Sequence, residues 1–267
     1  MTSKKTVMPA ADLTLRLIKL FASEQCPLRL KEIVEGLETN QATAIRLISV
    51  LEEQGWMQRI GAKGPYQLTY LPLYYIGQAL SGSRLAKLAA PLIKNLARET
   101  NTLAVLSVPD ERQVTCVVCE NSTHPIRVSS EIGCSYQYHC DAAGKAVIPW
   151  LGTEFIDRVL SEKLEKYGPN TITAPDKLRS EFSKIRKLGY ALDQEEHYSG
   201  VVCIGVPVFD YRNTCIASIT LGSLTFYDTT KTLVSNKKEA IMAAGESVSR
   251  IMGYAGPYPT DDPNKTA

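Results

Sequence analysis

The chain is short of several things, and each shortage removes a class of function. Nowhere do apolar residues run unbroken for the roughly 18 that a membrane-spanning helix needs. The opening MTSKKTVMPAAD carries lysines with no apolar core behind them, so it does not read as a secretory leader. An excess of one charge is missing too: 30 Lys and Arg against 28 Asp and Glu leave +2 at pH 7. That is too little for a protein that holds nucleic acid by bulk charge. The small surplus sits at the front, where residues 1–80 hold 9 basic and 7 acidic side chains. Histidine is rare, with only His124, His139 and His197. The seven cysteines are odd in number and scattered, and Cys116, Cys119, Cys203 and Cys215 stand in apolar runs. They read as reduced, buried thiols of a cytoplasmic protein and not as a disulfide framework. No internal repeat is present.

What is there suits a folded protein. The 267 residues are 44% hydrophobic and 22% charged, enough for one large domain or two ordinary ones with a substantial core. AADLTLRLIKLFASEQ is apolar at Leu13, Leu17, Ile18, Leu20 and Phe21, the spacing of an amphipathic helix. CPLRLKEIVEGL repeats Leu30, Ile33, Val34 and Leu37 as a short second helix. A third follows from Gln41, with Asn40 as its N-cap. One face carries Ala44, Leu47, Ile48 and Leu51; the other carries Gln41, Ala42, Thr43 and Arg46. Gly55 fits the left-handed position that ends a helix. Two short helices, the second opening on small and polar residues, read as a helix-turn-helix. Its third helix would enter the major groove by its N-terminal end, with Gln41, Thr43 and Arg46 within reach of bases and phosphates. WMQRI and YQLTY around Gly-Ala-Lys-Gly predict a two-stranded wing, with Arg59 and Lys63 near the DNA backbone. LPLYYIGQALSGSRL, with Leu73, Ile76, Gly77 and Leu80, reads as a linker helix.

Behind it, LAKLAAPLIKNLARETNT is a strongly amphipathic helix. TLAVLSVPD, QVTCVVCE and IRVSSEIG have the β-branched content of strands. GKAVIPWL, TEFIDRVLSE and PDKLRSEFSKIRKLGYA read as helices. GVVCIGVPVFD and CIASITLGSL are two more strands joined by a turn at Tyr211-Arg212-Asn213, and KTLVSNKKEAIMAAGESVSRIMGY is a closing helix. The order describes an α+β domain with a curved antiparallel sheet, a shape that leaves room for a pocket on one face. GPYPTDDPNKTA reads as a disordered tail.

GCSYQYHCDAAGKA, residues 133–146, is the stretch with most chemistry in it. Small residues at Ala142, Ala143 and Gly144 would leave backbone N–H groups uncovered at a helix N-terminus, a cradle for a carboxylate. Cys134, His139 and Cys140 offer soft metal ligands, but without the paired C-x2–4-C spacing of zinc sites. Cys116 and Cys119 have that spacing on a strand, where regular alternation would turn them to opposite faces. A thiol enzyme built on Cys203, His197 and Asp193 is conceivable, although a cysteine in an apolar strand is normally inert packing. His139 reads either as a satisfied loop residue or as a ligand contact. Glu195 and Glu196 read as solvated or loop-capping, and Tyr136 and Tyr138 as lining or covering a pocket.

Four segments together, ATAIRLISVLEEQGWM, DAAGKAVIPWL, IRKLGYALDQEEHYSGVVCIGVPVFD and IASITLGSL, make the chain resemble the IclR family of bacterial transcriptional regulators from about Leu13 to Tyr254. The resemblance implies an N-terminal winged helix-turn-helix over residues 7–70, a linker helix over 71–86, a GAF-like effector-binding domain over 87–255 and a tail over 256–267. It implies a DNA-binding regulator, more commonly a repressor, that works as a homodimer or a dimer of dimers on double-stranded operator DNA. DNA contacts would fall to Asn40, Gln41, Ala42, Thr43, Arg46, Arg59 and Lys63. Gln41 and Ala42 stand where the family usually has a lysine and a serine, which bears on the operator sequence. The effector would be a small carboxylic acid, a sugar acid or keto acid, with aromatic acids next. One wall of its pocket would be the loop and helix start at His139, Cys140, Ala142, Ala143 and Gly144. By resemblance, Asp193, Cys203, Thr220 and Gly222 would complete it. No cofactor, catalytic activity or membrane contact is implied. The alternative is a small-molecule or metal sensor that acts through protein contacts.

Overall fold

The computed structural model describes residues 9–75 and 84–258, in two compact units divided between Gly82 and Ser83. The first unit is three helices and a hairpin: α1 (Pro9–Glu24), α2 (Leu30–Leu37), α3 (Gln41–Glu53), β1 (Met57–Arg59) and β2 (Tyr66–Leu68). The turn between α2 and α3 is tight because Glu38 takes a left-handed conformation, φ 51°. Its N–H and that of Thr39 close back on the carbonyls of Glu35 and Val34, satisfying the orphan end of α2. Asn40 caps α3 as expected, its Oδ1 accepting the Thr43 N–H at 2.9 Å. Gly55, at φ 73°, follows the last turn of α3. Leu17, Phe21, Ile33, Leu37, Ala44, Ile48 and Leu51 form the core with Met57 and Tyr66 of the hairpin. Leu28 exchanges backbone hydrogen bonds with Tyr66 and so extends the wing. Residues 71–75 are helical; Ile76, Gly77 and Leu80 of the expected linker lie outside the described residues.

The second unit is built on a six-stranded antiparallel sheet in the order β5-β4-β3-β8-β7-β6. Its strands are β3 (Leu103–Pro109), β4 (Val114–Glu120), β5 (Ser135–Tyr136), β6 (Ala191–Gln194), β7 (Val201–Phe209) and β8 (Cys215–Leu224). Two helices, α4 (Arg84–Thr100) and α8 (Thr230–Ile251), pack side by side on one face. Leu85 and Ala86, expected in the linker, are buried in α4. Every second residue of the long strands meets these helices: Ala104 and Leu106 of β3, Val202, Ile204 and Val206 of β7, Ile219 and Leu221 of β8. The opposite face is half covered by α5 (Ala142–Val147), α6 (Thr153–Ser161) and α7 (Pro175–Leu188). There α5 lies so close to the sheet that a Cβ on Gly205 would sit 2.5 Å from the Ala142 carbonyl oxygen; only glycine fits. No helix among the described residues is long and apolar enough to cross a membrane.

Four expectations change. Residues 126–133 form no strand: Ile126 and Ile132 are 72% and 55% exposed, so their spacing reflects no buried face. Ala191–Gln194 is a strand that the sequence hides, since Asp193 and Gln194 interrupt its apolar pattern. Between Leu106 and Ser107 the β3–β4 register shifts, so that Val105 opposes Cys119 and Ser107 opposes Cys116. One extra residue in β4 resets the alternation, and Cys116 and Cys119 therefore share a face and touch. Finally, the tail is not disordered from its start. Tyr258 packs beside Phe209 and donates its hydroxyl to the Pro207 carbonyl at 2.7 Å; residues 259–267 lie outside the described ones.

Candidate functional site

Of the residues expected to meet DNA, Gln41, Ala42 and Arg46 are exposed on the first turns of α3, on the side away from its buried face. Thr43 is half-buried, and its N–H belongs to the Asn40 cap. Asn40 thus commits its carbonyl oxygen to holding the helix start. Lys63 is exposed at the tip of the hairpin. Arg59 is more tied down: its Nε donates to the Gly64 carbonyl at 3.2 Å, and its guanidinium lies 5.1 Å from the centre of the Tyr66 ring.

The uncovered half of the second sheet face forms a cavity of about 600 Å³, within the size range of small-molecule sites. Strand alternation builds its floor. Leu103 and Val105 point into it from β3, and their register partners Gly222 and Thr220 do so from β8. Cys203, opposite Gly222, and Asp193, opposite Cys203, carry the floor across β7 and β6. The irregular segment 127–134, strand β5 and Tyr198 supply the walls. Ser130 and Tyr136 there share a short hydroxyl–hydroxyl hydrogen bond. The Thr220 hydroxyl is buried without a hydrogen-bond partner.

The structure brings Ala143, Asp193, Cys203, Thr220 and Gly222 together on this cavity. It places the other four expected residues elsewhere. His139 faces the Glu165 carbonyl, to which Nε2 donates at 2.8 Å, and burial lowers its basicity. Cys140 and Ala142 are fully buried. Gly144 faces the Gln137 backbone, where a Cβ would come within 2.2 Å of the carbonyl oxygen. The carboxylate cradle at the start of α5 is already filled from within the chain. Asp141 is its N-cap, with Oδ1 accepting the Ala143 N–H at 2.7 Å. Tyr136 lines the cavity, whereas Tyr138 is buried beside α5 with its hydroxyl on the Asp110 carbonyl at 2.6 Å. Cys134 lines the cavity apart from His139. Among the described residues, no three His, Cys, Asp or Glu side chains are grouped to hold a metal ion.

Sequence reasoning missed an ionic cluster beneath the cavity. Lys145, fully buried on α5, donates to Glu196 Oε1 at 2.5 Å. The main-chain N–H of Glu196 donates to Asp193 Oδ1 at 2.7 Å. His197 Nδ1 stands 3.2 Å from Asp141 Oδ2. Burial, and next the nearby Asp141 charge, push the Asp193 carboxyl up to about 7. Burial also raises the Cys203 thiol well above its usual value, the opposite of an activated nucleophile. Glu196 is therefore neither solvated nor a loop cap, although Glu195 is the latter: its Oε2 accepts the Gly200 N–H at 2.7 Å. Arg127, Asp141 and Tyr198 also line the cavity without having been singled out. The alternation of Leu103 and Val105 against Thr220 and Gly222 was the available signal for the floor; nothing local marked the walls.

A winged helix-turn-helix with an exposed recognition face, joined in one chain to a sheet domain with a ligand-sized cavity, defines a DNA-binding transcriptional regulator. Residues 10–61 match the family model of the IclR helix-turn-helix domain, and residues 77–250 match that of the bacterial transcriptional regulator IclR C-terminal domain. The chain belongs to the IclR family. The HTH-type transcriptional regulator XynR of Escherichia coli is 27% identical over 250 residues, which cover 93% of this chain and 98% of that protein. The transcriptional repressor IclR of the same organism is 26% identical over 211 residues, 78% of this chain and 77% of its own. Among solved structures, IclR of Thermotoga maritima covers 93% of this chain and 100% of its own, with a TM-score of 0.78 at 24% identity. An IclR homolog of Microbacterium hydrocarbonoxydans, complexed with 4-hydroxybenzoate, covers 91% and 99% with a TM-score of 0.75 at 20% identity. At these identities the two structures speak for the fold.

Proposed function

We propose that this regulator is a repressor, active as a homodimer or a dimer of dimers, whose grip on operator DNA is set by a small organic acid held in the second unit's cavity. The observation that carries the reading is the cavity floor, where an unpartnered Thr220 hydroxyl and the Asp193 carboxyl stand among apolar side chains. Such a site rewards a compact ligand with an apolar body and a few hydroxyl or keto groups, because each unpaired buried polar group gains a partner on binding. Since Asp141 already caps α5, the acid group of the ligand faces Arg127 at the wall and not the helix terminus. A sugar acid or keto acid suits the polar floor. An aromatic acid is the second reading, favoured by Leu103, Val105, Val128, Val201 and Leu224 around the cavity and by the 4-hydroxybenzoate in the Microbacterium homolog.

On DNA, the exposed end of α3 reads the major groove through Gln41, Ala42, Thr43 and Arg46 while Lys63 and Arg59 hold the backbone. The ligand acts only as far as it prefers one arrangement of the protein over another. The test is a gel shift on the intergenic DNA beside the protein's own gene, at two salt concentrations, with and without keto, sugar and aromatic acids. Release of the complex by one acid supports the reading. A complex tightened by the acid turns the repressor into an acid-dependent binder, and no complex at either salt removes DNA control.

A further inference from the structure

The cavity carries a charge imbalance that a simple carboxylic acid does not answer. Two carboxylates, Asp141 and Asp193, line it; Asp141 caps α5 through Oδ1 and stands 3.2 Å from His197 Nδ1 through Oδ2, and Asp193 Oδ1 accepts the Glu196 N–H. The nearby buried lysine is committed, with Lys145 Nζ on Glu196 Oε1. Among the described residues that line the cavity, Arg127 is the one lysine or arginine; it is exposed, and Nη1 donates to the His124 carbonyl at 3.2 Å. An anion brought to the Asp141–Asp193 side would meet like charge in a partly desolvated site, and a cation would meet opposite charge. The same cavity holds a third acceptor. Thr220, on the cavity floor, is 6% exposed, and its hydroxyl has no partner.

We propose that the Asp141, Asp193 and Thr220 side of the cavity receives a protonated nitrogen, so that the effector is an amino-bearing organic acid, an amino acid or an amino-sugar acid. This rests on the reading of the cavity as the effector site and narrows it. An ammonium group has three N–H donors and no acceptor; the remaining lone pairs of the two carboxylates and the Thr220 hydroxyl oxygen would answer them. Its own acid group then faces Arg127, so both ends of a zwitterion find opposite charge. The raised pKa of Asp193, caused first by burial and next by the Asp141 charge, agrees, because a buried carboxyl crowded by another carboxylate is the group that a bound cation relieves.

The test uses matched probes that differ at one group, on the full-length protein: 2-amino-2-deoxygluconate against gluconate, and L-leucine against 4-methyl-2-oxopentanoate. Binding is read by calorimetry. The amino member of at least one pair is expected to bind about tenfold more tightly than its partner. Asp193→Asn should erase that preference, so that the two members of the pair bind within a factor of about two of each other. If Asp193→Asn does not fold, Thr220→Val provides the second readout, with a loss several-fold larger for the amino probe than for its amino-free partner. Equal or tighter binding of the amino-free member, a preference that survives both substitutions, or no binding by any probe overturns the proposal. Gel shifts with the same probes separate it from the reading beneath it. An amino probe that binds but leaves the DNA complex untouched sinks effector control alone. Release of DNA by gluconate or the keto acid, with no preference for nitrogen, sinks the nitrogen site alone.

Discussion

In the first unit Gln41, Ala42, Arg46 and Lys63 stand in solvent over a core of aliphatic side chains, Phe21, Met57 and Tyr66. In the second unit Lys145, Asp193, Glu196 and His197 are buried, linked through main chain and side chain beneath a cavity. On the proposed reading, the difference follows from the size of each unit's partner. A DNA groove comes to the protein, so the groups that meet it wait outside, where water satisfies them. A small ligand has to be enclosed, so its polar partners are buried first and held by neighbours. Exposed groups can be exchanged with little effect on the fold; buried ones cannot.

The largest test of that contrast is Lys145→Met. It leaves Glu196 as a buried charge with no counter-ion, and urea unfolding of the second unit should show a loss of about 3–5 kcal/mol. A loss as small as that expected for the exposed Lys31–Glu35 pair, at 3.8 Å, would erase the distinction between the units. Asp193→Asn comes next and depends on pH. A carboxyl near 7 in the folded chain against 3.8 unfolded favours the folded state while protonated. Its contribution is full below the unfolded value and fades as pH rises through about 7. Asn cannot ionise, so the variant should gain on the wild type between pH 5 and pH 8, by about 1–3 kcal/mol at the upper end. A gap that does not widen with pH would mean that Asp193 is ionised throughout. Arg46→Ala should cost operator affinity about 1–3 kcal/mol with an unchanged melting temperature; normal affinity would move the recognition face off these turns of α3. Smallest of all, Asn40→Ala should lower stability of the first unit by about 1 kcal/mol and weaken DNA binding only through fraying of α3, which higher protein stability in osmolyte would repair.

The first unit was legible because local rules govern it. Asn40, Gly55 and the apolar spacing of α3 are short-range signals, and all three hold in the structure. The floor of the cavity was legible through the resemblance that pointed to Asp193, Cys203, Thr220 and Gly222; local strand signals marked β7 and β8 but not β6. The cavity walls were not legible. Residues 127–136 have no period to read, and His139, Cys140, Ala142 and Gly144 look chemically promising but are turned into the protein by long-range packing of α5 on β7. The pairing of Lys145 with Glu196, 51 positions apart, leaves no trace in either local sequence, since a lysine or a glutamate is read as solvated until the fold encloses it.

The extra residue in β4 has a consequence for how this sheet tolerates change. On one side of Val117 the strand is held in step by Ser107, Val108 and Pro109; on the other, by Ala104, Val105 and Leu106. Each half keeps its own register, so the strand does not have to count continuously from end to end. A chain one residue shorter at this point would still set Cys116 against Ser107 and Cys119 against Val105. The bulge is an expansion joint, where this sheet can lose a length of one residue and leave both of its faces unchanged.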